Sequence, residues 1–175
     1  MAERLRPGDH LCGHSYGAVV SLFAAEVARD LRSLTVIEPP AFAVARGNSA
    51  VDEFVAESDR LWRNGPRDPE TFLRAFLRSV GAPDPPGRLT PALLQGARTL
   101  MVERPPWEAE IPLDDLAAAP FAKLVVSGGH SAAFDAVCDV LVERLDAQLA
   151  VLPGAGHSPQ RLGQPFNELI ASFAK

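Results

Sequence analysis

Apolar residues along this chain alternate between two patterns. Short unbroken runs occur at His10-Leu11-Cys12, Leu34-Thr35-Val36-Ile37, Leu124-Val125-Val126-Ser127 and Leu149-Ala150-Val151-Leu152. Each run predicts a strand, and Leu34 to Ile37, continuous and partly β-branched, reads as a buried parallel strand. Between them apolar residues recur at helical spacing. Residues 18–28 are Ala-rich and apolar. In 51–62, Val51, Phe54, Val55, Leu61 and Trp62 share a face. In 69–80, Phe72, Leu73, Phe76 and Leu77 do so, and in 135–145, Val137, Leu141 and Leu145. A helix over 89–102 opens on Thr90 as N-cap with Pro91 at its first position, and 166–173 forms a closing helix. Strand, helix and strand in succession predict an α/β fold built on a parallel sheet, with right-handed crossovers. The three helices within 46–116 form an insertion, which leaves 1–45 and 117–175 as the core.

Composition narrows the class. The chain has 175 residues, 47% of them hydrophobic, which suits one domain with a packed core or a core with a small subdomain. A net charge of −5 argues against a nucleic-acid or anionic-membrane surface. No apolar run reaches the roughly 18 residues of a membrane span, and the start carries no signal-peptide core, so the default expectation is a cytoplasmic protein. Cys12 and Cys138 form neither a disulfide framework nor a metal-binding spacing, and Cys12, lying within a strand, is expected to be a buried hydrophobe.

The candidate chemistry sits at strand ends. Gly13-His14-Ser15-Tyr16-Gly17 lies between the first strand and the first helix. Gly-x-Ser-x-Gly in that context describes a nucleophile elbow, a tight turn that lifts the Ser hydroxyl above the sheet at a helix N-terminus. Gly13 and Gly17 are expected to be small because a Cβ at either would meet neighbouring backbone. The pentapeptide also admits a plainer reading, Ser15 as a helix N-cap after a glycine turn. The second signal is 149–158, where the last strand runs into Pro153-Gly154-Ala155-Gly156-His157. A Gly-rich loop lets His157 reach across the top of the sheet, whereas His157 alone could equally be a solvated loop residue.

With both motifs in place, the chain resembles the α/β-hydrolase family in its capped branch, from about Asp9 to the C-terminus. Gly13 to Gly17 match that family's elbow and Pro153 to His157 its histidine loop. The resemblance implies a partial doubly wound parallel sheet with 46–116 as a helical cap or lid. It implies an esterase-like serine hydrolase that cleaves an ester, thioester or amide of a small molecule through an acyl-enzyme on Ser15. His157 would be the general base and the Tyr16 N–H an oxyanion donor, with no metal and no organic cofactor. His14, beside the nucleophile, is expected to be structural, and His130 to be weakly placed for a role in the pocket. Trp62, Phe72, Phe76, Met101 and Trp107 are expected mostly to pack the insertion against the core. Only a short segment precedes the elbow strand. The resemblance therefore implies that N-terminal strands and a second oxyanion donor are missing, and that the elbow strand is an exposed edge through which a homo-oligomer could form. Residues 1–8 read as a helix end and a turn. The alternative is a truncated or degenerate fragment, non-catalytic or merely ligand-binding.

The third member is less clear. The family's usual acid would fall at Ser131, which is not acidic. Glu38, ending the second strand, is the first choice, and Asp135 is the second. Each also has a structural reading: Glu38 as an anchor for loop N–H groups, Asp135 as a helix-start acid. Asp139, one helical turn further on, is a weaker candidate.

Overall fold

The computed structural model describes residues 2–175. Four parallel strands, β1 (His10–His14), β2 (Ser33–Ile37), β3 (Ala122–Ser127) and β4 (Gln148–Val151), form one sheet in the order β1-β2-β3-β4. The seven α-helices of the described residues are α1 (Tyr16–Val27), α2 (Ser49–Asn64), α3 (Pro69–Ser79), α4 (Pro91–Leu100), α5 (Leu113–Ala117), α6 (Ala132–Leu145) and α7 (Gln164–Phe173). None of them is long and apolar enough to cross a membrane.

The register Gly13↔Val36 and Val36↔Val125 aligns the carboxyl ends of β1, β2 and β3, so Ser15 and Glu38 emerge level with Ser127, the last residue of β3. One sheet face, with Leu11, Leu34, Val36 and Val125, packs against α1 and α6. The other, with Ile37, Leu124 and Val126, is covered by Phe166, Leu169, Ile170 and Phe173 of α7. Helices therefore lie on both faces, as two-sided apolar strands require. Phe42 and Phe134 are among the largest fully buried side chains, and each contributes roughly 1.5–3 kcal/mol relative to an exposed position.

Helices α2 to α4 follow β2 and precede β3. Each start is capped by a side chain, that of α4 by Thr90 as the sequence predicts. Asn48 accepts from Ala50 N–H, Asp68 from Thr71 N–H and Thr90 from Leu93 N–H. Trp62 joins α2 to α3 and to the turn at Pro106–Glu108 through edge-to-face contacts with Phe72, Phe76 and Trp107.

Three expectations change. The segment expected to end a helix holds a single 3-10 turn, Ala2–Arg4, with Met1 outside the described residues. Helix α6 begins three residues early, which puts Asp135 in its first turn. Cys12 is exposed rather than buried. It alternates out of the core on β1, which among the described residues pairs only with β2, and the α7 residues that cover this face pack against Ile37, Leu124 and Val126. Cys138, on α6, is the buried cysteine, and burial pushes its thiol well above the usual range.

Candidate active site

The elbow is built by close approach. Ser15 carries φ 53° and ψ −128°, backbone that non-glycine residues rarely adopt, and Glu38 carries φ 47° at the equivalent point after β2. Both turns are tied to the next strand. Ser15 N–H donates to the Ile37 carbonyl and Glu38 N–H to the Val126 carbonyl, each at 2.9 Å. A Cβ on Gly13 would overlap the Gly17 carbonyl and the Ser21 hydroxyl, so β1 and α1 can meet there only at glycine. At Gly17, by contrast, a Cβ would meet nothing within 4 Å. The expectation of two steric glycines therefore holds for one. The chain turns back on Gly13, and Gly17 already faces open space.

Ser15 occupies the N-cap position of α1, but its side chain makes no capping bond. Its Oγ lies 2.9 Å from His157 Nε2, across 142 residues of sequence. His157 is buried and its Nδ1 lies 3.3 Å from Glu38 Oε2, inside a fully buried carboxylate. Gly128 N–H makes a short hydrogen bond to the other oxygen, Glu38 Oε1. Gly128 is itself required there, because a Cβ would strike the Gly156 carbonyl where the histidine loop crosses β3. The loop reaches this point through left-handed backbone at Gly154 and Gly156.

Asp135 points elsewhere. Its Oδ1 accepts the Ser127 hydroxyl at 2.6 Å, and Ser127 Oγ in turn accepts from Gly129 N–H at 2.9 Å. That network shapes the turn after β3, and Asp135 touches Glu38 only by way of Ser127. His14 donates from Nε2 to the His157 carbonyl at 2.6 Å, which braces the loop from below. Burial pushes the His14 imidazole below its ordinary range, with the bond to His157 opposing the shift.

His130 lies beside the carboxylate and lines neither of the two spaces that Ser15 borders. Its Nε2 lies 3.1 Å from the Val80 carbonyl and so carries a proton. Its buried Nδ1 has no hydrogen-bond partner among the described residues and faces Glu38 Oε2 at 3.5 Å. Phe134 packs against both histidine rings, at 5.7 and 4.9 Å between centroids. The two glycines before His130 allow β3 to end in a tight turn toward β2. Glu38, His130 and His157 bring three ligand-type atoms within 4.8 Å of one another. The His157 contact to Glu38 has hydrogen-bond geometry without any ion.

Tyr16 opens α1, so its backbone N–H lies among the first-turn groups that have no intrahelical acceptor. A nucleophile-type oxygen, an imidazole and a buried carboxylate thus stand in line beside a helix N-terminus, an arrangement suited to proton transfer and to holding negative charge.

A sequence model of the Alpha/beta hydrolase family matches residues 1–171, and the chain belongs to that family. No curated protein matches it. Solved structures similar to it include an esterase from Thermogutta terrifontis (22% identity, TM-score 0.57, 96% of this chain and 66% of that chain). A proline iminopeptidase from Mycobacterium smegmatis is similar at 20% identity and TM-score 0.56, over 96% of this chain and 65% of that one. A hydrolase from Pseudomonas aeruginosa is similar at 18% identity and TM-score 0.61, over 95% of this chain and 64% of that one. The chain therefore spans about two thirds of the length of these relatives, and at these identities the likeness is one of fold.

Proposed function

We propose that this chain is a serine hydrolase that transfers an acyl group from an ester, thioester or amide of a small molecule to water. The 2.9 Å contact between Ser15 Oγ and His157 Nε2, with Glu38 behind His157 Nδ1, carries the reading. His157 takes the Ser15 proton as Ser15 attacks the carbonyl carbon. The Tyr16 N–H donates to the oxyanion of the tetrahedral intermediate. His157 then returns the proton to the departing oxygen, sulfur or nitrogen, leaving an acyl-enzyme. A water, deprotonated by the same imidazole, attacks the acyl carbonyl and releases the acid. Glu38 holds His157 in the Nδ1–H tautomer and offsets its charge when it becomes imidazolium. Helices α2 to α4 act as the cap that shapes the acyl side of the pocket. No metal or organic cofactor takes part in this scheme.

The test is labelling of the full chain by a fluorophosphonate probe, read by intact mass. Stoichiometric addition to the native protein, lost in Ser15→Ala and in His157→Ala, is expected. Absence of labelling in a sample that unfolds cooperatively would sink the proposal.

A further inference from the structure

Ser15 borders two spaces of very different size and character. One is an open cleft of about 560 Å³ that includes His14, His157, Ser158, Gln160 and Arg161. The other is a narrow chamber of about 40 Å³ beneath α2 to α4. Much of the chamber's lining is aromatic and includes Phe42, Phe54, Trp62, Phe76, Trp107 and Phe134. His157 lines the cleft and not the chamber. We infer that the chamber is an acyl site for a short, uncharged acyl group of two to about four carbons, and that the leaving group lies in the cleft. The inference rests on the acyl transfer proposed for Ser15.

The orientation follows from the proton. The departing atom must come within hydrogen-bond reach of His157 Nε2 to be protonated, so it lies on the side that His157 faces. The acyl substituent is the other arm of the carbonyl and is turned into the chamber, the other space that Ser15 borders. The length limit follows from volume. An apolar cavity that takes up benzene measures about 150 Å³, so a chamber of about 40 Å³ admits only a few carbon atoms beyond the carbonyl carbon.

The walls resist widening. Trp62 is held edge-to-face by Phe72, Phe76 and Trp107 at 5.0 to 5.5 Å between centroids, and Phe54 is wedged between Phe42 and Phe134 at 4.7 and 5.5 Å. Admitting a longer chain would break several such contacts at once. A carboxylate or ammonium on the acyl group would lose its hydration among aromatic rings with no counter-charge, so uncharged groups are selected. The cleft is more than ten times larger and places no comparable limit on the leaving group.

The test uses the full chain with p-nitrophenyl esters from acetate to decanoate. The ratio kcat/KM is expected to peak between acetate and butyrate and to fall at least tenfold by octanoate. Trp62→Ala is expected to shift the optimum to hexanoate or beyond. Phe76→Leu, a milder change should Trp62→Ala unfold the protein, is expected to shift it in the same direction. Fluorophosphonate labelling of Ser15 in the same samples separates the two levels of the argument. A preference that rises steadily toward decanoate, in native protein that labels at Ser15, overturns the acyl site and leaves the nucleophile standing. Failure to label overturns the proposed function, and the acyl site falls with it.

Discussion

Glu38→Gln is the substitution that most directly tests the site. The side chain keeps its volume in a fully buried position, so packing is conserved. Two amide orientations compete. With its oxygen at the Oε1 position, the introduced amide keeps the bond from Gly128 N–H and turns its NH₂ toward the Nδ1 atoms of His157 and His130. The flipped orientation leaves the buried Gly128 N–H without an acceptor, at a cost of about 1–3 kcal/mol. The first orientation therefore wins. An NH₂ facing His157 Nδ1 stabilises the Nε2–H tautomer, which donates to Ser15 instead of accepting from it. Loss of the correct tautomer lowers kcat by about 10³- to 10⁴-fold, equivalent to about 4–5.5 kcal/mol of transition-state stabilisation. The assay is turnover of p-nitrophenyl acetate, with the second-order rate of phosphonate labelling as an independent reading of Ser15 reactivity and the melting temperature as a fold check. Asp135→Asn is the control. The Asn oxygen still accepts the Ser127 hydroxyl, so activity is expected to stay within about tenfold of native. A folded Glu38→Gln protein that retains a tenth or more of native activity would refute the reasoning, and a greater loss in Asp135→Asn would move the acid to that residue.

Further consequences concern the scaffold. Gly13→Ala forces a Cβ into the Gly17 carbonyl and is expected to cost about 3 kcal/mol in urea unfolding, whereas Gly17→Ala, with open space at its Cβ, is expected to change the midpoint little. His14 is held neutral by burial, so the unfolded chain takes up its proton first as pH falls below the ordinary value of 6.5. Stability is therefore fully present above that pH and is lost below it. The urea midpoint of the native protein should drop between about pH 7.5 and about pH 5, and His14→Gln should drop less. In the native protein, a thiol reagent such as DTNB should modify Cys12 and spare Cys138 until the chain unfolds, and prompt reaction of both would contradict the burial described.

The sequence by itself determined the order and type of the elements. Four unbroken apolar runs and the periodic stretches between them correspond to β1 to β4 and the main helices, although only β2 and β3 are buried on both faces while β1 and β4 each leave residues exposed. It also singled out Ser15 and His157, since a Gly-x-Ser-x-Gly turn after a strand and a Gly-rich loop bearing one imidazole are local patterns. What it left open depends on contacts between distant segments. Glu38 and Asp135 both follow or flank a strand end, and only the left-handed turn at Glu38, with Ser127 drawing Asp135 aside, separates them. The two elbow glycines look alike in sequence, yet one abuts Ser21 and the other faces open space. Cys12 reads as core because its strand is apolar, and it becomes exposed because β1 pairs on one side only and its outer face lies beyond the reach of α7. The aromatic chamber is assembled from β2's exit, α2, α3, α6 and the Pro106–Glu108 turn, residues whose spacing says nothing of the volume they enclose. Periodicity records which side of an element is dry. The identity of the neighbour across that dry side is a property of the folded chain, and it is there that the hydrogen bond, the steric limit and the size of the cavity are decided.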